Sequence, residues 1–364
     1  MSPPFRTDEP SPAGRPRDNI LPLRHLAAWL VLYGHSYPLA GAAVGQADLL
    51  ERWLPGFSAS RYAVYLFFAI SGYLLTLSLL RHPSVPRYAW NRVLRVFPAY
   101  LVCLLLSVFV IGAAYTQWPL GDYLRAAGTW EHLRHNLIPT SFIWTLPGVF
   151  EDNPYPAVVN GSLWSLGLEV RWYLWLGLLA ALGVLRRRWL FTLVALGWIA
   201  WVIWRAEPDP LGHRALGMVF LIAALLAHWR ERIRPSHLWP LAMLAALLLA
   251  RDTPWLPWVM LVGAPALVLW LAYRLPPLPW PGERDLSYGL FLYGFPVQQA
   301  LMASWPTLSP LGLCVAATVL ALPCAMLSWR WVEAPALRRK LRPRAVIAAP
   351  PAQAVTLERA AADG

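Results

Sequence analysis

From Ile20 to Trp331 the chain runs through ten apolar segments of helical length, separated by arginine-bearing stretches. This recurrence constrains the fold more than any single motif, because about 20 mainly apolar residues are what an α-helix needs to cross a bilayer core of roughly 30 Å. The segments fall at 20–40, 61–81, 96–115, 162–185, 189–204, 213–229, 237–250, 255–273, 286–305 and 310–330, the fifth and seventh being short. Residues of the AVILMFWYC set make up 58% of the 364 residues and charged residues only 14%, too few charges to clothe a water-facing surface. The expected fold is therefore all-α, a polytopic integral membrane protein of about ten transmembrane helices. It comprises one domain over 20–335, a disordered N-terminal segment 1–19, and a basic, then Ala- and Pro-rich tail 336–364. A soluble enzyme, a disordered protein and a β-barrel porin are excluded, the last because its strands would alternate in polarity.

The basic residues orient the bundle. With the N-terminus inside, the inner segments carry 22 basic residues and the outer ones seven, while Arg24 and Arg171 fall within spans. That is the alternation the positive-inside rule requires, so both termini are expected in the cytoplasm. The formal charge of +12 is dispersed between spans, which favours anionic lipid headgroups as partners and not nucleic acid. Cys103, Cys314 and Cys324 lie inside apolar runs without metal-ligand spacing, so no metal is expected. The long outer segment 116–161 is expected to form a cap or a re-entrant element over the outer mouth, and Ser162 to act as the N-cap of the helix that follows it.

Ionisable groups inside a span cost a few kcal/mol and mark functional candidates. Arg24 and His35 are eleven residues apart, which puts them on one helical face about 16 Å apart. Arg24 then lies near the inner boundary and His35 in the outer half of the membrane. Glu169, about 10 Å below the outer end of the fourth span, comes near the depth of His35, where a carboxylate would orient the imidazole and strengthen it as a base. Arg171, two residues on, points to another face and takes a separate partner. At the start of the third span, Arg92 and Arg95 are three apart, a spacing that suits capture of phosphate. Blander readings stand beside each of these. Arg24 alone would snorkel to headgroups, His35 alone would bond a neighbouring helix, and Arg92 and Arg95 would serve as topogenic charge. Periodicity takes the argument as far as an ionisable pathway between the two sides.

Further residues repeat this order along the chain: Phe67 to Leu74 with Ser71-Gly72, Arg92-Val93-Leu94-Arg95 followed by Pro98 and Tyr100, and Ser162-Leu163-Trp164-Ser165 with Glu169 and Tyr173. Near the end stand Ser287-Tyr288 with Pro296, and Ser328, Trp331, Glu333 and Pro335. Together with the Arg24 and His35 pair, these elements resemble acyltransferase family 3, the membrane-bound O-acyltransferases of the bacterial surface-polysaccharide type. Ser71-Gly72 corresponds to that family's helix-breaking pair. Gly294 stands where many members carry a histidine.

The resemblance implies transfer of an acyl group, commonly acetyl, from cytoplasmic acyl-CoA to a hydroxyl of an envelope glycan or glycolipid. Arg24, Arg92 and Arg95 would hold the donor's anionic end. Trp164, Ser165 and Tyr173 would meet substrate. His35 would act as general base or transient acyl carrier, with Glu169 orienting it. The competing classes are a transporter that uses His, Glu and Arg as an intramembrane relay, which predicts inverted repeats with broken helices, and a non-catalytic partner in polysaccharide assembly.

Overall fold

The structure is a computed structural model, and it describes residues 18–40, 46–205, 212–233, 236–282 and 284–341. The N-terminal segment 1–19 lies outside these residues except for Asp18 and Asn19, and the tail beyond Leu341 lies outside them as well. So do Arg6, Arg15, Arg17, Arg234, Arg342, Arg344 and Arg359 of the basic residues counted above.

The described residues form helices and no strand. In chain order they are α1 (Ile20–Leu39), α2 (Leu49–Trp53), α3 (Ala59–Arg81) and α4 (Val85–Leu106). A widened, π-type turn at Ser107–Gly112 carries α4 into α5 (Ala113–Tyr115), and α6 (Leu120–Arg125) and α7 (Ala127–His135) follow. Then come α8 (Leu163–Ala181), α9 (Arg188–Trp204), α10 (His213–His228), α11 (Leu238–Ala250), α12 (Leu256–Tyr273) and α13 (Ser287–Ser304). The series closes with α14 (Pro310–Ser328), a second widened turn at Trp329–Glu333 and α15 (Ala334–Arg338). Each of the ten apolar segments is thus a helix. Among the described residues, four helical stretches, Ala59–Arg81, Val85–Tyr115, Leu256–Tyr273 and Pro310–Arg338, are long and apolar enough to cross a membrane.

Local chemistry sets the helix starts. Asp48 caps α2 by accepting from the backbone N–H groups of Leu50 and Glu51 at 2.9 and 3.0 Å. Its other carboxylate oxygen accepts from Ala59 N–H at 2.7 Å, which ties α2 to the first residue of α3. Ser309 caps α14 ahead of Pro310, where a missing N–H does no harm. Ser162 occupies the N-cap position of α8, but its hydroxyl makes no capping bond, so the expected cap is not formed.

Between helices in lipid there is little hydrophobic drive, and association depends on close packing of small residues. Ala27, Ala28, Ala63, Ala69, Ala99, Ala223, Ala224 and Ala227 are accordingly fully buried at the contacts. Helix α3 lies at the centre and packs against α1, α10, α12 and α8, while α13 packs between α1 and α14. Large apolar side chains such as Leu174, Leu193, Leu249 and Val315 face outwards, forming a surface that requires hydrocarbon around it. The chain is a multi-pass membrane protein.

Two glycines correct or explain points of the sequence. Helix α3 runs unbroken through Ser71-Gly72. Gly72 is needed for close approach, because a Cβ there would lie 2.4 Å from the backbone oxygen of Phe220 on α10. At Gly294 a Cβ would come 3.0 Å from the Leu32 side chain of α1, so the α1–α13 contact is close there.

Candidate active site

Two cavities lie back to back along the bundle. The first is narrow, about 40 Å³, and is lined by Arg24 of α1, Ser71 of α3, Arg95 of α4, Ser165, Glu169 and Tyr173 of α8, and Ser287 and Tyr288 of α13. The second holds about 320 Å³ and is lined by His35, Ser58, Ser60, Arg61, Tyr155, Ser162, Trp164 and Phe295. Val64, Ser165 and Phe291 line both and form the wall between them.

The charge in the first cavity is gathered on one carboxylate. Asp285, in the loop before α13, accepts from Arg95 Nη2 at 2.7 Å and pairs with Arg24 Nε at 3.1 Å. Burial alone would raise its carboxyl, yet the two guanidiniums, with the Ser287 hydroxyl, hold it well below the usual carboxylate range. Arg95 also pairs with Glu333 at 3.5 Å, and its guanidinium lies 5.4 Å from the centre of the Tyr288 ring. These contacts converge because α1, α4 and the α13 loop meet at one end of the bundle.

Glu169 is held differently from the sequence expectation. It accepts from Ser71 Oγ at 2.7 Å and from the Tyr173 hydroxyl, one helical turn away on α8. Among the described residues it makes no hydrogen bond to His35. Matched depth does not bring the two together, because α1 packs on α3, α13 and α14 whereas α8 packs on α3, α4 and α10.

His35 has a plain setting for an imidazole. Its ring packs edge-on against Phe295 with centroids 5.3 Å apart, and Phe295 meets Tyr155 edge-on at 6.2 Å. His35 Nδ1 and Ser162 Oγ are buried with no hydrogen-bond partner among the described residues. Unsatisfied polar atoms cost about 1–3 kcal/mol each, a cost that a bound polar ligand would remove. Tyr155 comes from the segment 116–161, which folds around its own small core of Tyr123, Leu146, Val149, Phe150 and Val159. Gln299 of α13 clasps this segment by donating to the backbone oxygens of Tyr155 and Val158 at 2.8 and 2.7 Å.

The remaining sequence candidates divide between these hollows. Trp164 lines the His35 cavity, Tyr173 the arginine cavity, and Ser165 both. Arg92 and Arg95 do not converge on one hollow. Arg95 faces the narrow cavity, whereas Arg92 lines a groove of about 280 Å³ between α4 and α8. There its guanidinium lies 5.7 Å from the centre of the Tyr173 ring, with Nε buried and unpartnered among the described residues. Arg171 donates to the backbone oxygen of Thr140, the separate partner its spacing from Glu169 suggested. The sequence reading missed Asp285, Tyr155 and the role of Ser71. Two acids, Glu283 and Asp285, flanking Arg284 in the connection that begins at Arg274 were the available signal.

A family model described as "Acyltransferase domain" matches residues 22–330, most of the chain. The chain is 29% identical over 336 residues to an "O-acetyl transferase" of Shigella phage Sf6, covering 85% of this chain and 93% of that protein. It is 27% identical over 372 residues to "Nodulation protein 10" of Rhizobium leguminosarum bv. viciae, covering 88% and 94% of the two. No solved structure matches.

Proposed function

The chain belongs to the acyltransferase 3 family, and from that membership we propose that it carries an acetyl group from cytoplasmic acetyl-CoA to a hydroxyl of an envelope glycan or glycolipid on the far side of the membrane. In this reading ten helices span the inner membrane and both termini are cytoplasmic. The observation that carries it is the pair of abutting cavities, guanidiniums in one and an imidazole in the other, separated only by Val64, Ser165 and Phe291.

Arg24 and Arg95 receive the phosphates of the donor, with Arg92 at the flank, and Asp285 keeps the two cavity guanidiniums in place until the donor arrives. The pantetheine arm lies along Tyr288, Tyr173 and Ser71, and the Glu169 carboxylate fixes the last two as positioning residues. The thioester then reaches the wall at Ser165. A sugar hydroxyl in the second cavity, stacked by Trp164 and Tyr155, gives its proton to His35 as its oxygen attacks the thioester carbonyl. The new C–O bond forms, the C–S bond breaks, and the leaving thiolate takes a proton back from the imidazolium. Neutral His35 is the active form, and its unpartnered Nδ1 leaves the ring free to turn towards either group.

The test is transfer from labelled acetyl-CoA in membranes carrying wild-type protein, His35→Ala or Arg24→Ala at equal expression. Label in a glycan or glycolipid fraction, lost in His35→Ala and reduced in Arg24→Ala, supports the proposal. Equal labelling in all three membranes overturns it.

A further inference from the structure

All but one of the 31 basic residues of this chain are arginine, and the single lysine is Lys340. Its position is built. Beyond α15 the chain turns back along α4, where Trp90 Nε1 donates to the backbone oxygen of Arg339 at 3.3 Å. Asn91 then clamps Leu341 from both sides, accepting from its N–H at 3.0 Å and donating to its carbonyl at 3.4 Å. Two backbone anchors therefore flank Lys340 and fix it against the start of α4, next to the residue that precedes Arg92.

The surrounding charge does not balance. Lys340 is half-buried, and Arg92 and Arg95 of α4 and Arg24 of α1 are near enough to act on it, opposed by Asp285 of the α13 loop. Asp285 already serves Arg24 and Arg95, and Glu333 serves Arg95. Among the described residues, the Lys340 amine has no salt-bridge or hydrogen-bond partner, its backbone N–H alone donating, to the Leu337 carbonyl at 3.2 Å. Four cations thus share two carboxylates, an arrangement that is costly in a partly dehydrated site unless an anion joins it. Burial, and then the neighbouring guanidiniums, push the Lys340 amine down to about 8.

Resting on the acyl-CoA reading above, we propose that Lys340 is a phosphate ligand of the donor, presented by the clamped C-terminal strap beside Arg92 at the flank of the Arg24 and Arg95 cavity. The strap closes over the nucleotide end, so that donor binding and the fold of the chain terminus are linked through Asn91.

A lysine that is alone in its chain can be followed by direct chemistry. Full-length protein in nanodiscs is treated at pH 8 with an amine-specific reagent, with and without CoA, and modification at Lys340 is read by peptide mass spectrometry while CoA binding is measured on the same sample. CoA should protect Lys340 over the concentration range in which it binds. In parallel, Lys340→Ala should raise KM for acetyl-CoA roughly 10-fold with kcat little changed, and Lys340→Arg should restore it. Wild-type kcat/KM should fall as pH rises past about 8, where Lys340 loses its proton, and that fall should be absent in Lys340→Arg. Full modification of Lys340 in protein shown to be saturated with CoA, or an unchanged KM in Lys340→Ala, overturns the proposal alone. Failure of the wild-type protein to bind CoA overturns the donor reading and this proposal with it.

Discussion

Asp285→Asn keeps the shape of the side chain while removing the charge that holds Arg24 and Arg95 together. Both partners contact the same oxygen, at 3.1 and 2.7 Å, and all three side chains are at most a quarter exposed. A hydrogen bond to a charged group contributes roughly 1.5–3 kcal/mol and a neutral one roughly 0.5–1.5, so two such contacts lose about 2–3 kcal/mol together. Arg95 retains Glu333 at 3.5 Å, whereas Arg24 is left with the Ser287 hydroxyl at 3.4 Å, which places the total near the lower end of the roughly 3–5 kcal/mol cost of an orphaned partner. Melting of the purified ligand-free protein should therefore fall by roughly 5 °C. Saturating CoA, which supplies the missing negative charge, should raise the variant by more degrees than the wild type. A ligand-free variant that melts with the wild type would refute the claim that this carboxylate holds the site together. A CoA shift no larger than that of the wild type would refute the link to donor phosphate.

Ser165→Trp fills the wall shared by the two cavities and should abolish transfer while CoA binding survives; loss of both together would mean that the helix had been displaced instead. Gly72→Ala places a Cβ 2.4 Å from the Phe220 carbonyl, and thermal melting should show the α3–α10 contact weakened, against no change if the contact relaxes freely. His132 is buried in the segment between α5 and α8, where burial pushes its imidazole down to about 4 although its bond to the Thr145 carbonyl opposes the shift. Its unfolded form binds the proton more tightly, so stability is fully present above about pH 6.5 and is lost as pH falls towards 4, by up to about 3 kcal/mol. Hydrogen-exchange protection over 116–161, corrected for the pH dependence of the intrinsic exchange rate, should fall across that window in wild-type protein and not in His132→Gln.

The helices were legible because apolar runs of fixed length leave lipid-embedded backbone few options, and all ten segments fold as helices over nearly the expected residues. The widened turns at Ser107–Gly112 and Trp329–Glu333 were not legible, since their sequences remain helix-compatible. Spacing along one helix can be computed from residue number, and Arg24 and His35, eleven residues apart on α1, line different cavities. The angular position of one helix around another cannot be computed that way, and for this reason Glu169 was paired with His35 when α3 in fact takes it through Ser71. Ser71-Gly72 carried a meaning of contact, one residue bonding α8 and the other admitting α10, where the family resemblance implied a break. Asp285 escaped notice because an acid in a loop has no cost to advertise until the fold brings two arginines onto it.

The central claim is that the acyl group crosses the membrane within this protein. Sealed proteoliposomes of one orientation, with labelled acetyl-CoA supplied only at the face bearing Arg87 and Arg338 and glycan acceptor only at the opposite face, test it most directly. The account predicts label on the acceptor with no CoA crossing the bilayer, and none with His35→Ala. Label that accumulates only when donor and acceptor share one face would contradict it.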